Sequence, residues 1–256
     1  MLKYYLKFLK KSKNEHSIHS PFVFELYTKI IQSKVQSPIF QEIENLRRKL
    51  SQNKTIIEIT DLGAGSKIYK NNQRQIRQIT KNAEKSPKFG QLLFRLIQYF
   101  KPPTIFDLGT SLGVTTIYQS RAYQNAQIKT FEGCPATAEI ARQNFEALNC
   151  ENIELIVGNL DETLPTELSK IKQLDFVFFD ANHRYEPTVR YFGLCLEKAT
   201  KESVFVFDDI HWSEEMNEAW QYIKNHPQVM ISIDLFYVGL IFFRTNQPKQ
   251  DFILRF

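Results

Sequence analysis

The chain has 256 residues, of which 43% are hydrophobic and 24% charged, with a formal net charge of +5. That length allows one large domain, or one domain with a substantial N-terminal extension, and the composition is ordinary for a soluble globular protein. No apolar run reaches membrane-spanning length, and lysines interrupt every N-terminal apolar stretch before it reaches signal length.

The charge is unevenly distributed. Residues 1–100 hold 19 Lys and Arg against 7 Asp and Glu, whereas residues 101–256 hold 14 against 21. A basic segment joined to an acidic domain can draw in an anionic substrate or nucleic acid, or can complement the domain it packs on. The three cysteines, Cys134, Cys150 and Cys195, show neither paired nor metal-ligand spacing. A reducing, cytoplasmic setting is expected, with the thiols as buried apolar fillers.

In chain order, Leu2, Tyr5, Leu6 and Leu9 share one face of a short helix whose other face carries Lys3, Lys7, Lys10 and Lys11. Such a helix docks on its own domain or lies on an anionic membrane surface. His16 and His19 stand before Ser20-Pro21 and read as helix-start residues, because no third metal ligand stands nearby. Residues 22–32 and 38–51 read as further helices. Residues 56–66 offer a strand and a Gly-x-Gly turn, Gly63 and Gly65, but the polar residues 67–85 supply no second strand with an acidic end. They read as a turn into a mobile basic segment, a lid over the site. Ser86-Pro87 opens a helix to Phe100 with Leu92, Leu93, Leu96 and Ile97 facing the core.

Behind Pro102-Pro103, Thr104-Ile105-Phe106 is a buried strand, followed by Asp107, Gly109, Gly113 and a helix to about Ala122. Strand, glycine turn and helix place a ligand against the N–H groups of a helix start. The rhythm then repeats. Strands are expected at 127–131, 153–157, 174–179 and 203–207, with helices at 137–148, 187–198 and 214–225. Two closing strands, 229–236 and 238–243, form an antiparallel hairpin, and 251–256 is a short edge or tail. The fold class is therefore α/β, a doubly wound Rossmann-like sheet of seven strands, five of them parallel, with a helical N-terminal extension over 1–86 and the main domain over 87–256. In such sheets ligands bind beyond the carboxyl ends of the strands, where Asp107, Glu132, Asn159, Asp180, Asp208 and Asp209 fall.

Over about residues 87–245 the chain resembles the class I S-adenosylmethionine-dependent methyltransferases, nearest to the catechol and caffeoyl-CoA type and the metal-dependent sugar O-methyltransferases. The residues that carry the likeness are Asp107-Leu108-Gly109-Thr110-Ser111-Leu112-Gly113, Phe131-Glu132-Gly133-Cys134-Pro135, Val157-Gly158-Asn159-Leu160, the stretch from Phe179 to Tyr185, and Phe207-Asp208-Asp209. The resemblance implies S-adenosylmethionine as cofactor. Gly109, Thr110, Ser111, Gly113 and Thr115 would hold its methionine portion, with Asp107 orienting the loop and favouring the ammonium. Glu132 would take the ribose hydroxyls, Gly158, Asn159 and Leu160 would border the adenine, and Asp180 would also face the cofactor.

Asp180, Asp208 and Asp209 form an oxygen-only set suited to a hard divalent ion, Mg²⁺ before Mn²⁺ or Ca²⁺. His183 stands where catechol-type enzymes carry a catalytic Lys and the sugar enzymes a His, and with Asp180 it forms the expected catalytic pair. Asp209 departs from the Asn of the catechol pattern. The expected reaction is methyl transfer to a hydroxyl of a small molecule, with a homodimer as a possible assembly and nucleic acid not expected. Two alternatives are an RNA methyltransferase that grips through its basic N-terminal region and a non-catalytic binding module that keeps the fold.

Overall fold

The structure, a computed structural model, describes residues 2–60, 72–245 and 247–256. In chain order its elements are α1 (Leu2–Lys11), a 3-10 turn (Glu15–Ser17), α2 (Pro21–Leu26) running into a π turn (Tyr27–Ile31), α3 (Pro38–Gln52), β1 (Ile56–Glu58), β2 (Gln73–Gln75), α4 (Ile76–Asn82) and α5 (Pro87–Phe100). There follow β3 (Thr104–Leu108), α6 (Val114–Ala122), β4 (Gln127–Glu132), α7 (Pro135–Ala147), β5 (Ile153–Val157) and α8 (Leu160–Ser169). The chain continues with β6 (Leu174–Phe179), α9 (Tyr185–Leu196), β7 (Ala199–Asp208), α10 (Glu214–Asn225), β8 (Ile231–Asp234), β9 (Val238–Phe242) and β10 (Gln250–Ile253).

Three helices begin at Ser-Pro. Ser20, Ser37 and Ser86 each accept a backbone N–H of the first turn on the hydroxyl, while the proline fills a position whose N–H has no helical partner. The strands are apolar runs of β-branched and aromatic residues, as in Leu-Asp-Phe-Val-Phe-Phe of β6, which is almost wholly buried.

The chain divides into two compact units, Lys34–Leu164 and a second made of Met1–Ser33 with Pro165–Phe256. The expected boundary between 86 and 87 lies inside the first of these. In that unit β3, β4 and β5 pair in parallel, and α3, α4, α5, α6 and α7 enclose a core of Phe40, Ile43, Ile76, Phe94, Ile117 and Phe145. Gly90 of α5 lets the Tyr118 ring lie against its backbone, 2.5 Å from where a Cβ would stand, and the Tyr118 hydroxyl donates to Glu44 Oε1 at 3.0 Å. Burial and the Glu44 carboxylate push the Tyr118 phenol well above its ordinary range.

In the other unit β6 and β7 are parallel, β9 runs antiparallel to β7, and β8 antiparallel to β9. Phe179 and Phe207 stack at 4.2 Å between ring centres, and Gly239 of β9 makes room for the fully buried Trp220.

The eight strands from β3 to β10 form one mixed, mostly parallel sheet in the order β10-β8-β9-β7-β6-β3-β4-β5. The expected α/β class holds, but the sheet has eight strands rather than seven. The extra one is β10, which pairs in parallel with β8 from Gln250↔Ile231 to Ile253↔Asp234. Its four residues are half polar and too short for alternation to distinguish them from a tail.

Three other expectations change. α1 does not bury the face that carries Tyr5, Leu6 and Leu9, which are 38%, 53% and 40% exposed; Phe8 is its buried anchor. Of the polar stretch 67–85, residues 73–75 pair antiparallel with 56–58 as β2 with β1, and Ile76 buries the start of α4. The turn with Gly63 and Gly65 lies outside the described residues. Finally, α8 was not expected at all, because Pro165 stands inside it.

Candidate functional site

The unit Lys34–Leu164 contains the glycine loop. Asp107, at the end of β3, is fully buried, and its Oδ2 accepts the hydroxyls of Thr116 at 2.5 Å and Thr130 at 3.0 Å. Thr116 belongs to the helix after the loop and Thr130 to β4, so one carboxylate fixes both to the strand that feeds the loop. Gly109 (φ +117) and Gly113 (φ +81) are left-handed, as is Ser111 (φ +51). At Gly113 a Cβ would run into the Phe145 ring, so both space and backbone require glycine there. The N–H groups of Gly109 and Thr110 donate to Phe131 O at 3.2 and 3.0 Å.

Glu132 ends β4 and fastens the loop from the other side. Its Oε2 accepts the Ser111 N–H and its Oε1 the Cys134 N–H, both at 2.9 Å. Thr110 shares a 2.6 Å hydroxyl contact with Thr130, and Thr115 is buried in the first turn of α6. After β5, Gly158 (φ +144) donates its N–H to Glu132 O at 3.0 Å. Asn159 caps α8, where its Oδ1 accepts the Asp161 N–H at 3.0 Å, and Leu160 opens that helix. The structure thus brings Asp107, Gly109, Thr110, Ser111, Gly113, Glu132 and Gly158 together through named contacts, while the Asn159 side chain is engaged in its own helix start.

Sequence reading missed Glu84, whose Oε1 accepts the Leu112 N–H at 3.1 Å. It also missed Asn144, which donates to Leu112 O at 2.8 Å. Glu84 stands two residues before the Ser86-Pro87 cap, a position with no motif attached to it.

The other unit contains an acidic cluster at the ends of β6 and β7. Asp180, His183 and Asp208 each offer one ligand atom, all within 4.8 Å of one another, and Asp208 is buried. His183 Nε2 lies 3.3 Å from Asp180 Oδ1. The turn that carries His183 is left-handed at Asn182 (φ +66) and His183 (φ +29), and its imidazole meets the Trp212 ring edge-on at 6.0 Å. Asp209, expected as a third carboxylate, is not in this group. Its backbone is left-handed (φ +52) and its carbonyl accepts the Trp212 N–H at 2.9 Å. His16 and His19 form no metal-ligand group among the described residues.

A family model described as a methyltransferase domain matches residues 106–210. Among curated proteins this domain is similar to a catechol O-methyltransferase from Niastella koreensis, 27% identical over 128 residues, which are 49% of the chain and 57% of that protein. A transmembrane O-methyltransferase from Homo sapiens is 32% identical over 82 residues, 31% of the chain and 28% of that protein. The chain therefore spans about half the length, or less, of these curated relatives.

Solved structures share the fold. An O-methyltransferase from Bacillus cereus in complex with S-adenosylhomocysteine has a TM-score of 0.57 at 18% identity, covering 86% of the chain and 96% of its own. TomG, an O-methyltransferase from Streptomyces achromogenes bound to S-adenosylmethionine, has a TM-score of 0.58 at 18% identity, covering 87% and 95%. The resemblance read from the sequence holds for the methyltransferase domain. No helix among the described residues is long and apolar enough to cross a membrane.

Proposed function

We propose that the protein transfers the methyl group of S-adenosylmethionine to a hydroxyl of a small molecule. The observation that carries this reading is the clasp in which Glu132, at the end of β4, holds the left-handed Ser111 of the glycine loop at 2.9 Å. A loop of this kind, opening a helix and closed by the acidic end of the next strand, suits a charged nucleoside ligand. In this reading Gly109, Thr110, Ser111, Gly113 and Thr115 receive the methionine portion, Glu132 takes the ribose hydroxyls, and Gly158 with Asn159 and Leu160 borders the adenine. Asp107 orients the loop through Thr116 and Thr130.

His183 serves as general base. With its Nε2–H directed at Asp180 Oδ1, the lone pair falls on Nδ1, which takes the proton of the acceptor hydroxyl. The acceptor oxygen forms the new bond to the methyl carbon as the sulfur–carbon bond breaks, and S-adenosylhomocysteine leaves with the bonding pair. Asp180, His183 and Asp208 fit a divalent ion as an alternative arrangement, in which the His183 lone pair would go to the ion and the coordinated hydroxyl, not the imidazole, would lose its proton to solvent. Two carboxylates with an imidazole favour Mn²⁺ or a later transition ion over the Mg²⁺ expected from three carboxylates. An ion held there would lower the pKa of a coordinated hydroxyl.

The test is S-adenosylhomocysteine binding by calorimetry, combined with methyl transfer from labelled S-adenosylmethionine to a panel of hydroxylated aromatics and sugars, with and without chelator. His183→Ala is expected to abolish turnover and leave S-adenosylhomocysteine affinity unchanged. Absence of S-adenosylhomocysteine binding would favour the binding-module alternative, and label appearing on RNA alone would favour the nucleic-acid one.

A further inference from the structure

The C-terminal half of α3 and the helix α4 border an open cleft of about 800 Å³, within the range of small-molecule sites. Arg47, Arg48, Arg77 and Lys81 line it, and among the described residues Glu44 is the one acid in its wall. Glu44 is already engaged: Oε1 accepts the Tyr118 hydroxyl at 3.0 Å, and Oε2 lies 3.5 Å from Arg47. Among the described residues, no carboxylate pairs with Arg48, Arg77 or Lys81, and Arg47 Nε is buried without a hydrogen-bond partner. Arg77 is braced instead, donating its Nε–H to Gln75 Oε1 at 2.6 Å. Ser51, Gln78, Thr80 and Asn82 add neutral polar groups to the same wall.

Arg48, Arg77 and Lys81 converge on a concave surface, and among the described residues no carboxylate pairs with them. Left so, they repel one another, and a ligand of opposite charge removes that repulsion. Guanidinium forks pair with the oxygens of either a phosphate or a carboxylate, but a phosphate ester brings three oxygens and up to two charges on one group, which lets one ligand meet several of these cations. A cleft lined by only two short stretches, 44–51 and 77–82, also suits a compact polyanion better than a polymer strand, which a long basic groove would follow.

We propose that this cleft is a binding site for a small molecule carrying two or more phosphoryl charges. The site does not depend on the methyl-transfer reading, yet it stands close to the glycine loop. Asn82 precedes by two residues the Glu84 whose carboxylate holds the Leu112 N–H, a Cα separation of at most about 8 Å.

The experiment uses the full chain and inorganic pyrophosphate as probe, followed by calorimetry at low and moderate salt. One site per chain is expected, weakening as salt rises, with orthophosphate binding more weakly. Arg48→Ala with Arg77→Ala should weaken pyrophosphate at least tenfold, while Lys201→Ala, an exposed lysine elsewhere, should leave it unchanged. Both arginines are exposed, so the melting temperature should hold and separate lost binding from lost folding. No saturable binding, or an equal loss in the Lys201→Ala variant, overturns the proposal. A single-stranded RNA 20-mer that binds more tightly than pyrophosphate and is lost with the same two arginines also overturns it, in favour of a nucleic-acid surface.

Discussion

Ser111 donates its backbone N–H to Glu132 Oε2 at 2.9 Å, so the loop that follows one strand is fastened by the acid that ends its neighbour. The other oxygen of that carboxylate holds the Cys134 N–H at the same distance. One side chain therefore determines both the shape of the loop and the start of α7. Glu132→Ala should weaken S-adenosylhomocysteine at least tenfold. It should also cost about 1–3 kcal/mol of stability, because two backbone donors lose their acceptor. Calorimetry and chemical denaturation report the two effects separately, and an unchanged affinity would remove Glu132 from the proposed ribose role.

Gly113→Ala meets two obstacles at once, a φ of +81 and the Phe145 ring. The strain and overpacking together should destabilise the protein by about 2–4 kcal/mol. Pairing it with Phe145→Leu should recover the steric part and leave the backbone part. A double-mutant cycle on melting temperature measures that coupling; strict additivity would mean that the ring and the glycine do not interact.

Burial raises the thiol pKa of Cys195, which is completely enclosed in α9, and that of Cys150. Both stay as thiols at pH 8, shielded from reagents. Native protein should therefore release little chromophore from an aromatic disulfide reagent over the first minutes. Denatured protein should titrate all three cysteines. Rapid labelling of Cys195 in the native state would contradict its placement.

His226 is held below its ordinary value of 6.5 by burial first and by the Lys249 ammonium second, with its ring edge-on to Phe192 at 5.5 Å. A base with a lowered folded pKa is protonated first in the unfolded chain. Stability is therefore full above 6.5, falls as pH drops from there toward the lower folded value, and is flat below it. His226→Gln should flatten that portion of the stability profile. Denaturation midpoints between pH 5 and 8 in the two proteins give the comparison, and superimposable slopes would exclude His226 as the source.

Much of the fold was legible because its strands are apolar runs bounded by turn residues. Residues 153–157 and 174–179 were read with the bounds the structure gives, as was the helix from Glu214 to Asn225 behind its Ser213 cap. The glycine loop was legible for the same local reason, since Gly109 and Gly113 occupy conformations that other residues resist. What sequence could not supply was contact between distant residues. Nothing adjacent to Glu84 indicates that it reaches Leu112, 28 positions away. The make-up of the acidic cluster differs from the expected one for a related reason. Three carboxylates in sequence suggested an all-oxygen set, whereas the group the structure gathers is Asp180, Asp208 and the imidazole of His183, carried by the left-handed turn at Asn182 and His183. On α1, hydrophobic spacing identified an apolar face, yet aromatic packing of Phe8 on Phe236 decided which side is covered.

The unit that joins Met1–Ser33 to Pro165–Phe256 is discontinuous along the chain. Its first segment is fixed by its last: the Lys13 N–H donates to Ile253 O at 2.8 Å, and the Gln32 side chain donates to Arg255 O across 223 positions. During synthesis on the ribosome these early residues must wait until residues 250–255 emerge, more than 200 positions later, before their partners exist. Lys34–Leu164 can mature while the opening segment is still unsatisfied, so assembly in the cell ends with a late closure over a very long loop. Translation pauses ahead of the codons for residues 250–255 would prolong the time the opening segment is open to chaperones.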